Sequence, residues 1–75
     1  MEISHVERFK IISENIKKYR KQKDMTQIQL AEKVGISLSY LTKIEAANCD
    51  KSFSLDVLFD IANALETDIK LFFEL

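Results

Sequence analysis

An all-α domain of five helices is the fold this 75-residue sequence predicts, and three observations carry the prediction. The chain has no proline, a single glycine and 47% apolar residues, a composition suited to packed helices and unsuited to a sheet with many tight turns. Apolar residues recur at spacings of three and four, which gathers them on one helical face. Ser or Thr stands ahead of each such run, where a side-chain oxygen can accept from the unpaired amides of a first helical turn.

The elements follow in chain order. Ser4 with Glu7 three residues on is a capping box, and Val6, Phe9, Ile12, Ile16 and Tyr19 make the apolar stripe of a first helix over about His5 to Gln22. Its outer face carries Lys17, Lys18 and Lys21, with Lys23 just beyond. Asp24 and Met25 form the connection, Met25 turning into the core. Thr26 and Gln29 repeat the capping box, and Ile28, Leu30, Ala31 and Val34 give the second helix, about Gln27 to Val34, its buried stripe. Gly35 follows directly, the residue best able to take the left-handed conformation that ends a helix.

Ser37 then caps a third helix, about Leu38 to Ala46, whose inner side holds Leu41 and Ile44. Asn48 to Phe53 is the longest irregular segment. Ser54 caps a fourth helix that turns Leu55, Leu58, Ile61, Ala62 and Leu65 inward and places Asp56 near its positive end. Thr67 or Asp68 opens a short fifth helix, residues 68–75, in which IKLFFEL has five apolar residues in seven. Ile69 and Phe72 can turn onto the domain. Leu71, Phe73 and Leu75 then form an exposed apolar cluster, the kind of patch that marks a contact surface, read here as the dimerisation surface for a second copy. The alternatives are that the small core wraps these side chains or that the end frays.

Size and charge narrow the function. Residues 1–75 are read as one domain, near the size at which a single core supplies only about 3–5 kcal/mol, so a homodimer would help. One cysteine, Cys49, leaves no internal disulfide and is read as inert, and no run approaches the ~18 apolar residues of a membrane span. The chain reads as cytoplasmic, with no membrane partner. His5 and Cys49 are too few and too far apart for a metal site. No nucleophile–base pair, phosphate-cradling glycine loop or catalytic carboxylate pair is present, so neither an enzyme nor a cofactor is expected. Net charge is −1, yet residues 1–45 hold nine Lys/Arg against six acids while residues 46–75 hold two against six. Such a dipolar domain can turn a positive face to phosphate without being basic overall.

Thr26 to Glu45, reading TQIQLAEKVGISLSYLTKIE, thus describes two short helices joined around a glycine, a helix-turn-helix over 26–46. Thr-Gln at the start of its first helix, Leu-Ala in the middle, Val-Gly-Ile-Ser across the turn and Tyr-Leu-x-Lys-Ile-Glu in the second resemble the phage-repressor and Cro-like (XRE-type) DNA-binding family. The similarity continues through Ile12 to Asp24 and Ser54 to Phe73, most of the chain. It implies a lambda-repressor-like fold and a sequence-specific regulator, most simply a repressor, that binds a double-stranded DNA operator as a homodimer. Half-sites would lie about one helical turn, roughly 34 Å, apart or at a multiple of it.

The resemblance also assigns residues. The second helix of the motif lies in the major groove while the first crosses the backbone. Gln27 matches the family's phosphate-contacting Gln, beside the free amides of a helix N-terminus. Ser37, Leu38, Ser39 and Lys43 match base-reading and backbone-contacting positions: Ser39 can bond several base edges, Leu38 can pack on a thymine methyl, and Lys43 can reach guanine or phosphate. Tyr40 can reach a phosphate through its hydroxyl; Asn48 and Lys51 are phosphate candidates by position, and Lys17 by its place beside the motif. Arg20 and Glu45 match a buried structural ion pair that ties the first helix to the end of the third. The family favours Gly near Ala46 or Ala47 and often Pro before the fourth helix. Neither is present, so the third helix is read as running about a turn further. The rival reading is a protein-interaction module, such as an antitoxin that binds a partner protein, with DNA binding secondary.

Overall fold

Ser and Thr caps set the helix starts in a computed structural model of the chain, which describes residues 2–46 and 53–75. The elements are α1 (His5–Gln22), α2 (Gln27–Val34), α3 (Leu38–Glu45), α4 (Leu55–Ala64) and a terminal 3-10 turn (Ile69–Phe73). Ser4, Thr26, Ser37 and Ser54 all take extended backbone conformations, and each hydroxyl accepts from the amide three residues on. At Thr26 the box is reciprocal, since the Thr26 amide also donates to Gln29 Oε1 at 2.9 Å. At Ser4 the structure forms the hydroxyl half, Glu7 N to Ser4 Oγ at 3.1 Å.

Three of the four α-helices, α1, α2 and α4, end on left-handed residues, of which one is glycine. Gly35 (φ 87°) ends α2, with its own amide and that of Ile36 both donating to the Ala31 carbonyl. Asp24 (φ 55°) does the same for α1, and Glu66 (φ 53°) for α4. In both, the next amide reaches back across the turn, Met25 to Arg20 and Thr67 to Ala62.

The core draws on every element: Ile12 and Ile16 from α1, Leu30 and Ala31 from α2, Leu41 and Ile44 from α3, Leu58, Ile61, Ala62 and Ala64 from α4, then Leu65 and Phe72. Within it α2 packs on both α3 and α4, while α1 packs on α3 and on the C-terminal turn. Phe72 is fully buried, its ring tilted against Tyr19. Met25 and Ile69 pack against the core from its edge.

Three expectations are corrected. The fifth element is a 3-10 turn of five residues, with Glu74 extended, and not an α-helix over 68–75. Its carbonyls are claimed from outside: Asn15 Nδ2 on α1 donates to Phe72 O at 2.8 Å and to Glu74 O at 2.6 Å. α3 stops at Glu45, because Ala46 already has extended angles (φ −69°, ψ 123°), so it does not run a further turn. Val6, Ile28 and Leu55 are exposed and not buried. Each lies in the first turn of its helix, at the rim of the domain, ahead of the first buried core residues Ile12, Leu30 and Leu58.

Candidate nucleic-acid interface

α3 has two faces of opposite character. Leu41, Ile44 and Glu45 are buried, and Ser37, Leu38, Ser39, Tyr40, Thr42 and Lys43 are exposed. Two hydroxyls on the outer face already have local partners: Ser37 Oγ accepts the Tyr40 amide at 3.0 Å, and Thr42 Oγ1 donates to the Leu38 carbonyl at 2.8 Å. Ser37 keeps its O–H for another acceptor, and Ser39 and Lys43 extend outward on the same helix. Leu38 adds an exposed apolar side chain beside them.

α2 meets α3 so that its first turn touches the last turn of α3. Gln27 Nε2 donates to Glu45 Oε1 at 3.1 Å across this junction. The Thr26 box engages the Gln29 amide, leaving the Gln27 and Ile28 amides at the N-terminus of α2 as donors with the partial positive charge of a helix start.

Behind the junction lies an ion pair. Arg20 grips Glu45 in a two-pronged contact, Nε to Oε2 at 2.8 Å and Nη2 to Oε1 at 3.0 Å. Its Nη1 donates to the Met25 carbonyl at 2.7 Å, so one guanidinium joins α1, the turn after it and the end of α3. Lys17 is exposed on α1 with Lys18 and Lys21, on a different element from the α3 face. Asn48 and Lys51, and with them Cys49, lie outside the described residues. Leu71 is half-buried, and Phe73 and Leu75 are exposed, Leu75 almost completely at 98%. Phe73 and Leu75 border a hollow with Ile3, Arg8 and Ile11. Among the described residues no helix is long and apolar enough to cross a membrane, and no three His, Cys, Asp or Glu side chains gather as a metal site.

Sequence reasoning missed two polar ties. The sequence reading turns Gln27 outward to a phosphate, with no acceptor inside the domain, and gives Asn15 no role. Their partners lie 18 and 57 residues away in sequence, beyond any local spacing rule.

A capped helix, a left-handed glycine and a second helix with a free polar face define a helix-turn-helix protein. The chain belongs to the helix-turn-helix family of phage-repressor and Cro-like (XRE) type, whose model matches residues 16–72. It is 43% identical over 54 residues to the immunity repressor protein of Bacillus phage phi105, a match covering 72% of this chain and 36% of that protein. It is 36% identical over 59 residues to the transcriptional regulator SinR of Bacillus subtilis (strain 168), covering 79% of this chain and 52% of SinR. The chain therefore spans about half the length of these relatives or less. Among solved structures it is similar to SinR, the master regulator for biofilm formation, in complex with DNA: TM-score 0.76 and 33% identity, over 84% of this chain and 98% of that one.

Proposed function

We propose that this chain is a sequence-specific DNA-binding transcriptional regulator, a cytoplasmic repressor that acts by occupying a two-fold operator as a dimer. The observation that most supports this is the exposed outer face of α3, Leu38, Ser39, Tyr40 and Lys43, on a backbone similar to that of a regulator solved with DNA. Ser37 and the N-terminal residues of α3 meet base edges in the major groove. The first turn of α2, with Gln27, meets a phosphate. Lys17 and Lys43 supply the charge term, and Tyr40, Asn48 and Lys51 add backbone contacts. The face lacks Arg, Asn and Gln for bidentate readout, so part of the discrimination comes from DNA deformability and from paired half-sites. Leu71, Phe73 and Leu75 hold the second copy.

Selection of duplexes from random DNA by the full chain tests the proposal. The expected product is a two-fold sequence with half-sites about 34 Å apart or at a multiple of it, bound with an affinity that falls steeply as salt is added. Recovery of no specific duplex would sink the reading. It would favour a protein-interaction module, to which the exposed Leu55, Phe59, Phe73 and Leu75 and the net charge of −1 lend support.

A further inference from the structure

Gln27 stands where the two helices of the motif meet, and its side chain is already held. Glu45 Oε1 accepts both from Gln27 Nε2 at 3.1 Å and from Arg20 Nη2 at 3.0 Å, while Oε2 accepts from Arg20 Nε at 2.8 Å. The carboxylate is fixed in turn, since the Glu45 side chain is 2% exposed and the Arg20 side chain 8%. Gln27 is only half-buried, so its amide spans the boundary between this network and solvent. A primary amide nitrogen carries two hydrogens. Glu45 takes one, and the other remains beside the positive first turn of α2.

We infer that Glu45 is a positioning residue for DNA binding. Its carboxylate holds the Gln27 amide in one orientation, with the second Nε2 hydrogen offered to a phosphate oxygen. The inference rests on the DNA-binding reading above and adds a residue that itself touches no DNA. Two physical effects support it. A glutamine fixed before docking loses little rotamer freedom when the phosphate arrives, whereas a free one loses most of it. A carboxylate close to a phosphate would by itself repel it, and the paired Arg20 guanidinium cancels that charge.

A thermodynamic cycle on the duplex recovered by selection separates positioning from scaffolding. Removing Arg20 or Glu45 alone strands a buried charge, so the pair is replaced together, Arg20→Met with Glu45→Met, and thermal unfolding checks the fold. Gln27→Ala lowers affinity about tenfold without changing the salt dependence, because Gln27 is neutral. The Arg20→Met/Glu45→Met variant loses about the same factor. Adding Gln27→Ala to it costs nothing more. If instead the losses multiply to about a hundredfold, Glu45 acts on the scaffold alone and the proposal is overturned, while the DNA-binding reading stands. A second measurement needs neither DNA nor a folded variant: in the wild-type chain, NMR nitrogen relaxation finds the Gln27 side-chain amide as rigid as the backbone, with one of its hydrogens exchanging slowly with solvent. A mobile amide whose hydrogens both exchange fast would overturn the proposal by itself. Recovery of no duplex would fail the DNA-binding reading instead, a result distinct from either of these.

Discussion

From α1, the Arg20 side chain bonds to two other parts of the domain, Glu45 at the end of α3 and the Met25 carbonyl, and this makes it a sensitive position. Arg20→Met leaves the Glu45 carboxylate buried without its cation, which costs about 3–5 kcal/mol. A domain of this size has little more than that in total. Chemical denaturation should find Arg20→Met largely unfolded and the Arg20→Met/Glu45→Met pair close to wild type; a fully stable Arg20→Met that merely fails to bind DNA would contradict a structural role. Ser13 gives the opposite prediction. It is 1% exposed, and its Oγ has no hydrogen-bond partner among the described residues. Ser13→Ala removes an unpaired hydroxyl and should raise stability by about 1 kcal/mol, seen as a melting temperature some 4–8 °C higher. A lower melting temperature would mean the hydroxyl is satisfied after all. The family resemblance marks Arg20 and Glu45 as a pair in the sequence, whereas nothing there marks the Ser13 hydroxyl as unpaired. Ser13 stands four residues after Phe9 and three before Ile16, so helical spacing puts it on the buried side of α1, but whether a hydroxyl finds a partner there depends on the packed fold.

At the level of the element, helix starts were legible because a cap and the amide it serves lie three residues apart. The two capping sequences and Gly35 therefore placed α1 and α2 at His5–Gln22 and Gln27–Val34, as observed. Helix ends at Asp24 and Glu66 were harder to read, because an acidic residue in a left-handed conformation carries no glycine signature. Such a conformation strains a side chain with a Cβ by about 1–2 kcal/mol. Glu66→Gly should consequently stabilise the domain by about 0.5–1 kcal/mol, once the extra freedom of glycine in the unfolded chain is set against the relief. The loss of the exposed contact to Lys23, at 3.9 Å, subtracts little. Thermal melts of the two proteins decide it, and a destabilised Glu66→Gly would show that the Glu66 side chain does more than cap. The C-terminal segment was misread for a different reason. Its apolar density suits an α-helix, but Asn15 takes its last carbonyls and leaves a 3-10 turn.

For the whole molecule, charge and apolar surface are distributed unequally. Lys and Arg outnumber acids in residues 1–45, and the reverse holds in residues 46–75, so the proposed DNA face and the acidic half belong to different parts of the chain. Phe73 and Leu75 leave apolar surface next to Ile3 and Ile11 at the end of the domain held by Asn15. If a second copy covers this surface, Phe73→Lys with Leu75→Lys should shift sedimentation from dimer to monomer. DNA binding should then weaken far more on a two-half-site duplex than on a single half-site, because the linked second contact is lost. A wild-type chain that sediments as a monomer at all accessible concentrations would remove this surface from consideration.

Sequence by itself determined the helical class, the four helix starts, the two-helix motif that opens at Thr26 and the inward Ile12, Ile16, Leu30, Ala31, Leu41, Ile44, Leu58, Ile61, Ala62 and Leu65, because each depends on residues within one or two turns of each other. Only the tertiary structure decided which first-turn apolar residues stay exposed, how the chain ends, and that Gln27 shares one carboxylate with Arg20. These depend on contacts between residues far apart in sequence, where no periodicity applies and only the packed elements bring the groups within hydrogen-bonding distance.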